Sequence, residues 1–282
     1  MSFVMNFAII RACPRNINNM SPELNIAHKA ALKASKSIEQ LIFQNELLSV
    51  QKKLQNGYVD KAVEVSLNDL FYTLKRAYPD DVIRSEDSLL SDLDQGERTW
   101  YIEPLAGTAN LLYDIPHCAI GLIMTEQNKL QQAMVFQPLT GDCFTASRGK
   151  GAFLSNKRLR IDQHKELSAA IVATNLPENN SLKAAHGLSL RNINKHAAGS
   201  RMLGCDILDI TWAAAGRLDA YWQADASKIT TMIGKLFMTE AGGQCSDFSL
   251  KQNPEKKAQL LAANLKLSAQ LSQQISPNFQ RL

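Results

Sequence analysis

The spacing of apolar residues changes twice along this chain, and that order of periods most narrows the folds open to it. Leu24, Ala27, Ala31, Ala34, Ile38, Leu41 and Ile42 recur every 3.6 residues or so, which predicts an amphipathic helix of roughly five to six turns. Ser21, Pro22 and Glu23 supply its start: an N-cap hydroxyl, a proline in the first turn and an acid beside the helix dipole. A second helix is predicted over about 60–78, with Val63, Leu67, Leu70, Phe71 and Leu74 on one face and Pro79 closing it. The period then shortens to that of strands, at 82–84, 99–103, 118–125, 130–136, 142–146 and 152–154. Gln127-Asn128-Lys129 reads as a hairpin turn between two of them. The compact apolar run 170–174 suits a strand buried on both faces. In the last third the types alternate: helix 206–215 stopping at Gly216, strand 218–223, helix 228–241 capped by Gly242-Gly243, strand 260–263 and a final helix.

A chain of 282 residues, 45% hydrophobic and 21% charged, can bury a sizeable core as one domain or two fused lobes. No repeat, low-complexity tract or long linker interrupts it, so two lobes sharing an interface are expected, approximately 20–165 and 166–282. Thirty-one basic against 27 acidic residues leave a net charge of +4, too small an excess to signal nucleic-acid binding by itself. Cys13, Cys118, Cys143, Cys205 and Cys245 are widely spaced without a CxxC pair, which disfavours a disulfide framework or zinc site and suits a reducing cytoplasm. The apolar stretch from Phe3 to Ile10 has no basic residue before it and is too short to span a bilayer, so neither a signal peptide nor a membrane helix is expected. Because helix-start residues begin at Ser21, residues 1–19 are expected to be a disordered extension or to lie upstream of a true start at Met20.

Five segments carry further information. Trp100-Tyr101-Ile102-Glu103-Pro104-Leu105-Ala106-Gly107-Thr108-Ala109-Asn110 follows the wording W-[IV]-[IV]-D-P-[IL]-D-G-T-x-N with both acids changed. Ile83-Arg84-Ser85-Glu86-Asp87-Ser88 is similar to I-x-[GT]-E-E-S, and the run from Phe144 to Ala152 to F-x-A-x-x-G-x-G-A. Gly199-Ser200-Arg201 through Ala213-Ala214-Ala215-Gly216-Arg217-Leu218-Asp219 is similar to G-S-A-A-L-D-x-x-x-V-A-A-G-R-x-D, and Glu240-Ala241-Gly242-Gly243 matches E-A-G-G. Each is weak alone, but in this shared order they resemble the inositol monophosphatase family over about Ser21 to the end. The resemblance is to the bacterial type also known as a transcription-antitermination cofactor. It implies an α/β fold, an αβαβα sandwich, and commonly a homodimer.

The family's chemistry says what the changed acids are for. Hydrolysis of a phosphomonoester needs an activated water and neutralised phosphoryl charge, and Mg²⁺ held by convergent carboxylates supplies both. Carried over one residue at a time, the resemblance implies a depleted metal set. Glu86 keeps one position, with Asp87 beside it. Glu103 stands where the family has Asp, one methylene longer; Ala106 has no ligand, though the Leu105 carbonyl next to it could coordinate. Counting back from Glu240-Ala241-Gly242-Gly243, Thr230 replaces a third acid, and an ungapped alignment puts Val63 at a fourth. Gln223 falls on the acid that meets the substrate hydroxyl, and Lys228 adds a positive charge close by. Gly107 and Thr108 keep the turn that holds phosphate in the family, and the same turn serves equally as a requirement of the fold.

Two functional classes follow. One is an active or weakly active Mg²⁺-dependent phosphatase acting on inositol-1-phosphate or a related small phosphate monoester. The other, favoured by the depleted set, is a pseudoenzyme whose Mg²⁺ binding is weak or lost and in which no residue is assigned as a catalyst. It would bind a protein partner in the transcription machinery or a small anionic ligand. Removing one electrostatic group of this kind costs about 2.7–4 kcal/mol of transition-state stabilisation, so several losses together disfavour turnover. A relocated metal site using Asp87, Asp225 or Asp60 is a third reading, set against the ordinary role of acids as solvated surface groups. His117 is expected to be a satisfied core residue, His28, His164, His186 and His196 show no ligand spacing, and Trp212, Tyr221 and Trp222 are expected in packing.

Overall fold

The computed structural model describes residues 20–85, 98–251 and 258–279. The expectations for residues 1–19, including Cys13, and for Glu86 and Asp87 lie outside the described residues. Helix α1 (Pro22–Asn45) starts as its sequence predicts: the Ser21 hydroxyl accepts a hydrogen bond from the Leu24 amide at 3.2 Å. The short α2 (Val50–Gln55) follows, too brief to show a period in the sequence, and then α3 (Tyr58–Ala77). The buried face of α3 runs Tyr58, Ala62, Ser66, Leu70 and Leu74 in steps of four, and it meets the alanines of α1. Phe71, assigned to this stripe by its spacing, is instead 38% exposed, because it lies one residue, about 100°, round the helix from Leu70 in the buried row.

Strands β1 (Val82–Ser85), β2 (Thr99–Ala106), β3 (Ala119–Glu126), β4 (Lys129–Phe136), β5 (Cys143–Ser147), β6 (Gly151–Leu154) and β7 (Lys157–Arg158) form a seven-stranded sheet in chain order. Only β1 and β2 run parallel within it. Gln127 and Asn128, with φ of 50° and 57°, make the β3–β4 turn, so Lys129 belongs to the strand rather than to the loop. The period-two alternation of β2 divides its side chains between layers. Trp100 and Ile102 face α1 and α3, while Tyr101 faces the opposite side.

The remaining elements are α4 (Thr108–Leu112), β8 (Ile171–Thr174), α5 (Lys183–Asn194), β9 (Gly199–Arg201), α6 (Asp206–Ala214), β10 (Ala220–Gln223), α7 (Lys228–Ala241), β11 (Gln244–Ser246), β12 (Leu260–Ala263) and α8 (Leu265–Phe279). Five of these strands make a second sheet in the order β11-β12-β10-β8-β9. Helices α6 and α7 fill the space between the sheets, and Gly234 permits their close crossing: a Cβ there would lie 2.1 Å from Ile210 Cδ1. Three apolar clusters hold five layers together, α1/α3, seven strands, α6/α7, five strands and α5/α8, the central cluster spanning α6/α7 and the inner faces of both sheets. This is the αβαβα sandwich that the resemblance implies. Tyr221 and Trp222 are fully buried on opposite faces of β10, in agreement with a packing role. Cys118, Cys143, Cys205 and Cys245 are free and buried, and among the described residues no helix is long and apolar enough to cross a membrane.

Candidate functional site

Strand β2 loses its register with β3 between Glu103 and Ala106 and then turns at Gly107, where φ is +77°. A Cβ on Gly107 would sit 2.6 Å from the His117 carbonyl oxygen, so the chain can turn this tightly only with glycine. The turn delivers Thr108 as the first residue of α4 and forms one wall of a cleft of about 900 Å³. Helix α3 contributes Val63 and Leu67, the start of α6 contributes Gly204 and Asp206, and β10 with the start of α7 contributes Gln223 and Thr230.

Thus Val63, Glu103, Leu105, Ala106, Gly107, Thr108, Gln223 and Thr230, drawn from segments far apart in the sequence, all line one cleft. Asp225 lines it too, whereas Asp60 borders a smaller neighbouring hollow of about 320 Å³. Lys228 begins α7 but is not part of the wall. Gly199 and Ser200 lie on the edge strand β9; the glycine that serves the cleft from that segment is Gly204, at φ +79° immediately ahead of α6.

The side chains are largely committed. Thr230 Oγ1 accepts from Ser227 Oγ at 3.0 Å, while Ser227 Oγ accepts from the Thr230 amide at 3.0 Å, so this hydroxyl pair caps α7. Gln223 Oε1 accepts from the Asn175 amide at 3.2 Å and its Nε2 donates to Asp225 Oδ1 at 2.9 Å. Val63 and Ala106 present only carbon.

Sequence reasoning missed the polar network beneath the cleft. Asn175 Nδ2 donates to Asp206 Oδ1 at 2.6 Å and to Asp209 Oδ2 at 2.8 Å, and the Gly204 amide donates to Asn175 Oδ1 at 2.8 Å. Tyr221 donates to Asp206 Oδ1 at 2.9 Å. His117 Nε2 lies 2.7 Å from Asp209 Oδ1, so this histidine is a partnered, buried residue, as expected. Burial pushes the Asp206 carboxyl above its ordinary range and the negative charges of Asp209 and Asp225 add to the shift, against the hydrogen bonds from Asn175 and Tyr221. The one sequence signal for this network was the pair of acids three residues apart opening α6. Glu103, Glu178, Asp206 and Asp225 all reach the cleft, and among the described residues no Lys, Arg or His lines it.

A model of the inositol monophosphatase family matches residues 19–280. This chain belongs to the inositol monophosphatase family. Within the family, it is 33% identical over 264 residues to a Pseudomonas aeruginosa protein named Nus factor SuhB, a match covering 92% of this chain and 97% of that one. It is 32% identical over 244 residues to a Rhizobium meliloti inositol-1-monophosphatase, covering 86% and 91%. Among solved structures, the extragenic suppressor protein suhB of Bartonella henselae superposes with a TM-score of 0.78 at 26% identity, covering 91% of this chain and all of that one. The inositol monophosphatase family is one of Mg²⁺-dependent phosphatases.

Proposed function

We propose that this family member has lost Mg²⁺-dependent phosphomonoesterase activity and acts as a binding or regulatory protein. The observation that carries this reading is convergence: Val63, Ala106 and Thr230, each at a position where the resemblance implies an acid, border the same cleft as Glu103. Mg²⁺ requires near-octahedral oxygen ligands at about 2.1 Å and gives up water reluctantly. Two carbon side chains and a hydroxyl that accepts from Ser227 stand at three of these positions, and Glu103 with the Glu86 that the resemblance retains is too thin a carboxylate set for that requirement.

The likeness to proteins named Nus factor SuhB supports a role in transcription antitermination through a partner in the transcription machinery. A cytoplasmic setting suits both that role and the free thiols. Exposed Tyr113, Ile115 and Leu176 offer apolar surface for a homodimer. A division into lobes near residue 166 is part of the same reading, supported by each sheet drawing its strands from one side of that point. Inositol-1-phosphate incubated with the protein and Mg²⁺ is expected to release no phosphate above background. Turnover several orders of magnitude above background would overturn the proposal and restore the phosphatase reading.

A further inference from the structure

The outer layer made by α5 and α8 contains no aspartate or glutamate in either helix. Lys183 and Arg191 lie on α5 and Lys195 is its C-cap residue, and all three are exposed. Steps of eight and four residues keep them on one broad side, about 12 Å and 6 Å apart along the axis. Among the described residues none of the three makes an ion pair or a side-chain hydrogen bond. Lys266, at the start of α8, is paired with Glu166, and Glu178 lies ahead of α5 on the cleft side. No acid occurs in the sequence between Glu178 and Asp206. The opposite outer layer differs: α1 and α3 interleave Glu23, Glu39, Asp60, Glu64 and Asp69 with their lysines, and Lys33 pairs with Asp69 at 2.9 Å.

Two further features point to an anion. Lys183 occupies the first residue of α5, where the positive end of the helix dipole disfavours a cation, so the site is under-neutralised even for a helix start. Exposed groups on or next to these helices include the amides and hydroxyls of Asn180, Ser181, Asn194 and Gln273, together with His196 and the apolar Leu188 and Leu265. Lysine, arginine, serine, asparagine and glutamine are the side chains that meet phosphate and sugar oxygens in nucleic-acid complexes. Protein interfaces instead enrich aromatic and methionine anchors and deplete lysine.

We propose that the α5–α8 face docks a polyanion, the phosphodiester backbone of a single-stranded nucleic acid. The assignment goes beyond the proposed loss of phosphatase activity and does not depend on it. The net charge of the whole chain conceals it, because the acids lie elsewhere while the three cations share one acid-free stretch, 179–205, that folds largely into α5.

The test is fluorescence anisotropy of the full chain with a labelled oligouridine of about 20 nucleotides, titrated at several salt concentrations. Three neutralised phosphates predict that log Kd rises with log salt with a slope of about 2. The triple variant K183E/R191E/K195E is expected to bind at least about tenfold more weakly, and its circular dichroism is expected to match the parent. K183Q/R191Q/K195Q repeats the comparison without reversed charge should the first variant fail to fold. Absence of binding, or binding unchanged in both variants, overturns the proposal. So does competition by polyglutamate equal to that of RNA at matched charge, which would assign the face to an acidic protein segment. Phosphate release from inositol-1-phosphate is read separately, so failure here and failure of the proposed loss of activity are distinguishable.

Discussion

The cleft and the α5–α8 face carry opposite charge, and they differ as much in how that charge is supported. In the cleft, Asp206 and Asp225 are held by Asn175, Tyr221, Gln223 and the Asn179 amide. On the outer face, Lys183, Arg191 and Lys195 have no comparable contacts among the described residues. Acids built into a network are coupled to the fold, so changing them alters stability and pH response. Exposed, unpaired cations are nearly independent of the fold, and what they do must show in association. The comparison separates residues whose main effect is structural from residues whose main effect is on a partner.

The largest effect on the cleft side is expected from Gly107→Val. A β-branched residue at φ +77°, with its Cβ 2.6 Å from a backbone oxygen, should cost about 3 kcal/mol or more. Thermal denaturation should then show Tm lower by about 10 °C. A variant as stable as the parent would mean that the turn can relax, and the cleft would not depend on this glycine.

Restoring the acids comes next. V63D/E103D/A106D/T230D adds carboxylates at the proposed lost positions, and the cap on α7 should survive because Ser227 still accepts the residue-230 amide. Close like charges should lower stability without metal, and Mg²⁺ should raise it through binding to the folded state. Isothermal titration calorimetry with Mg²⁺ is expected to show binding in the variant and little in the parent. No binding in the variant would refute the assignment of these four positions as ligands.

How far the sequence disclosed these two regions differs for a physical reason. Helices α1, α3 and α7 carry a sustained period and definite ends, and the hairpin turn between β3 and β4 is local chemistry, so these were readable. The cleft walls at Glu103 to Thr108, Gln223 and Thr230 were readable because their motif spacing survives the loss of the acids. Helices α2 and α4 are too short to show a period, and Asn175 looks like an ordinary residue at a strand end until Asp206 and Asp209 are brought beneath it. Gly199 attracted the motif through the Gly-Ser pair, whereas the fold uses Gly204, which has the positive φ and the motif's spacing to Gly216. The charge of the α5–α8 layer sits in one acid-free stretch, 179–205, but without a helix expected over 183–194 its three cations could not be placed on one side.

A smaller, pH-dependent effect is expected from Asp206→Asn, which keeps an oxygen to accept from Asn175 and Tyr221. Burial raises the carboxyl's pKa in the folded state above its ordinary value of 3.8. Below that ordinary value the carboxyl is protonated in both states and contributes no pH dependence. As pH rises through the raised pKa, the folded protein holds the proton that the unfolded chain has released, so stability falls with pH. The variant lacks this loss. Urea denaturation should show it gaining on the parent as pH rises from about 4 to 7. A parent that gains on the variant over that range would show that the hydrogen bonds outweigh burial.

The smallest expected effect, and the one that most sharpens the comparison, is the stability change from Lys183→Glu. An acid at the first residue of α5 favours the helix dipole by about 0.3–1 kcal/mol, and there is no ion pair to lose among the described residues. The variant should therefore unfold at slightly higher urea while binding oligouridine more weakly than the parent. Stability and association moving in opposite directions would mean that Lys183 serves a partner rather than the fold. If urea denaturation instead shows the variant to be less stable, Lys183 supports the helix, and its place in the polyanion face loses its strongest physical argument.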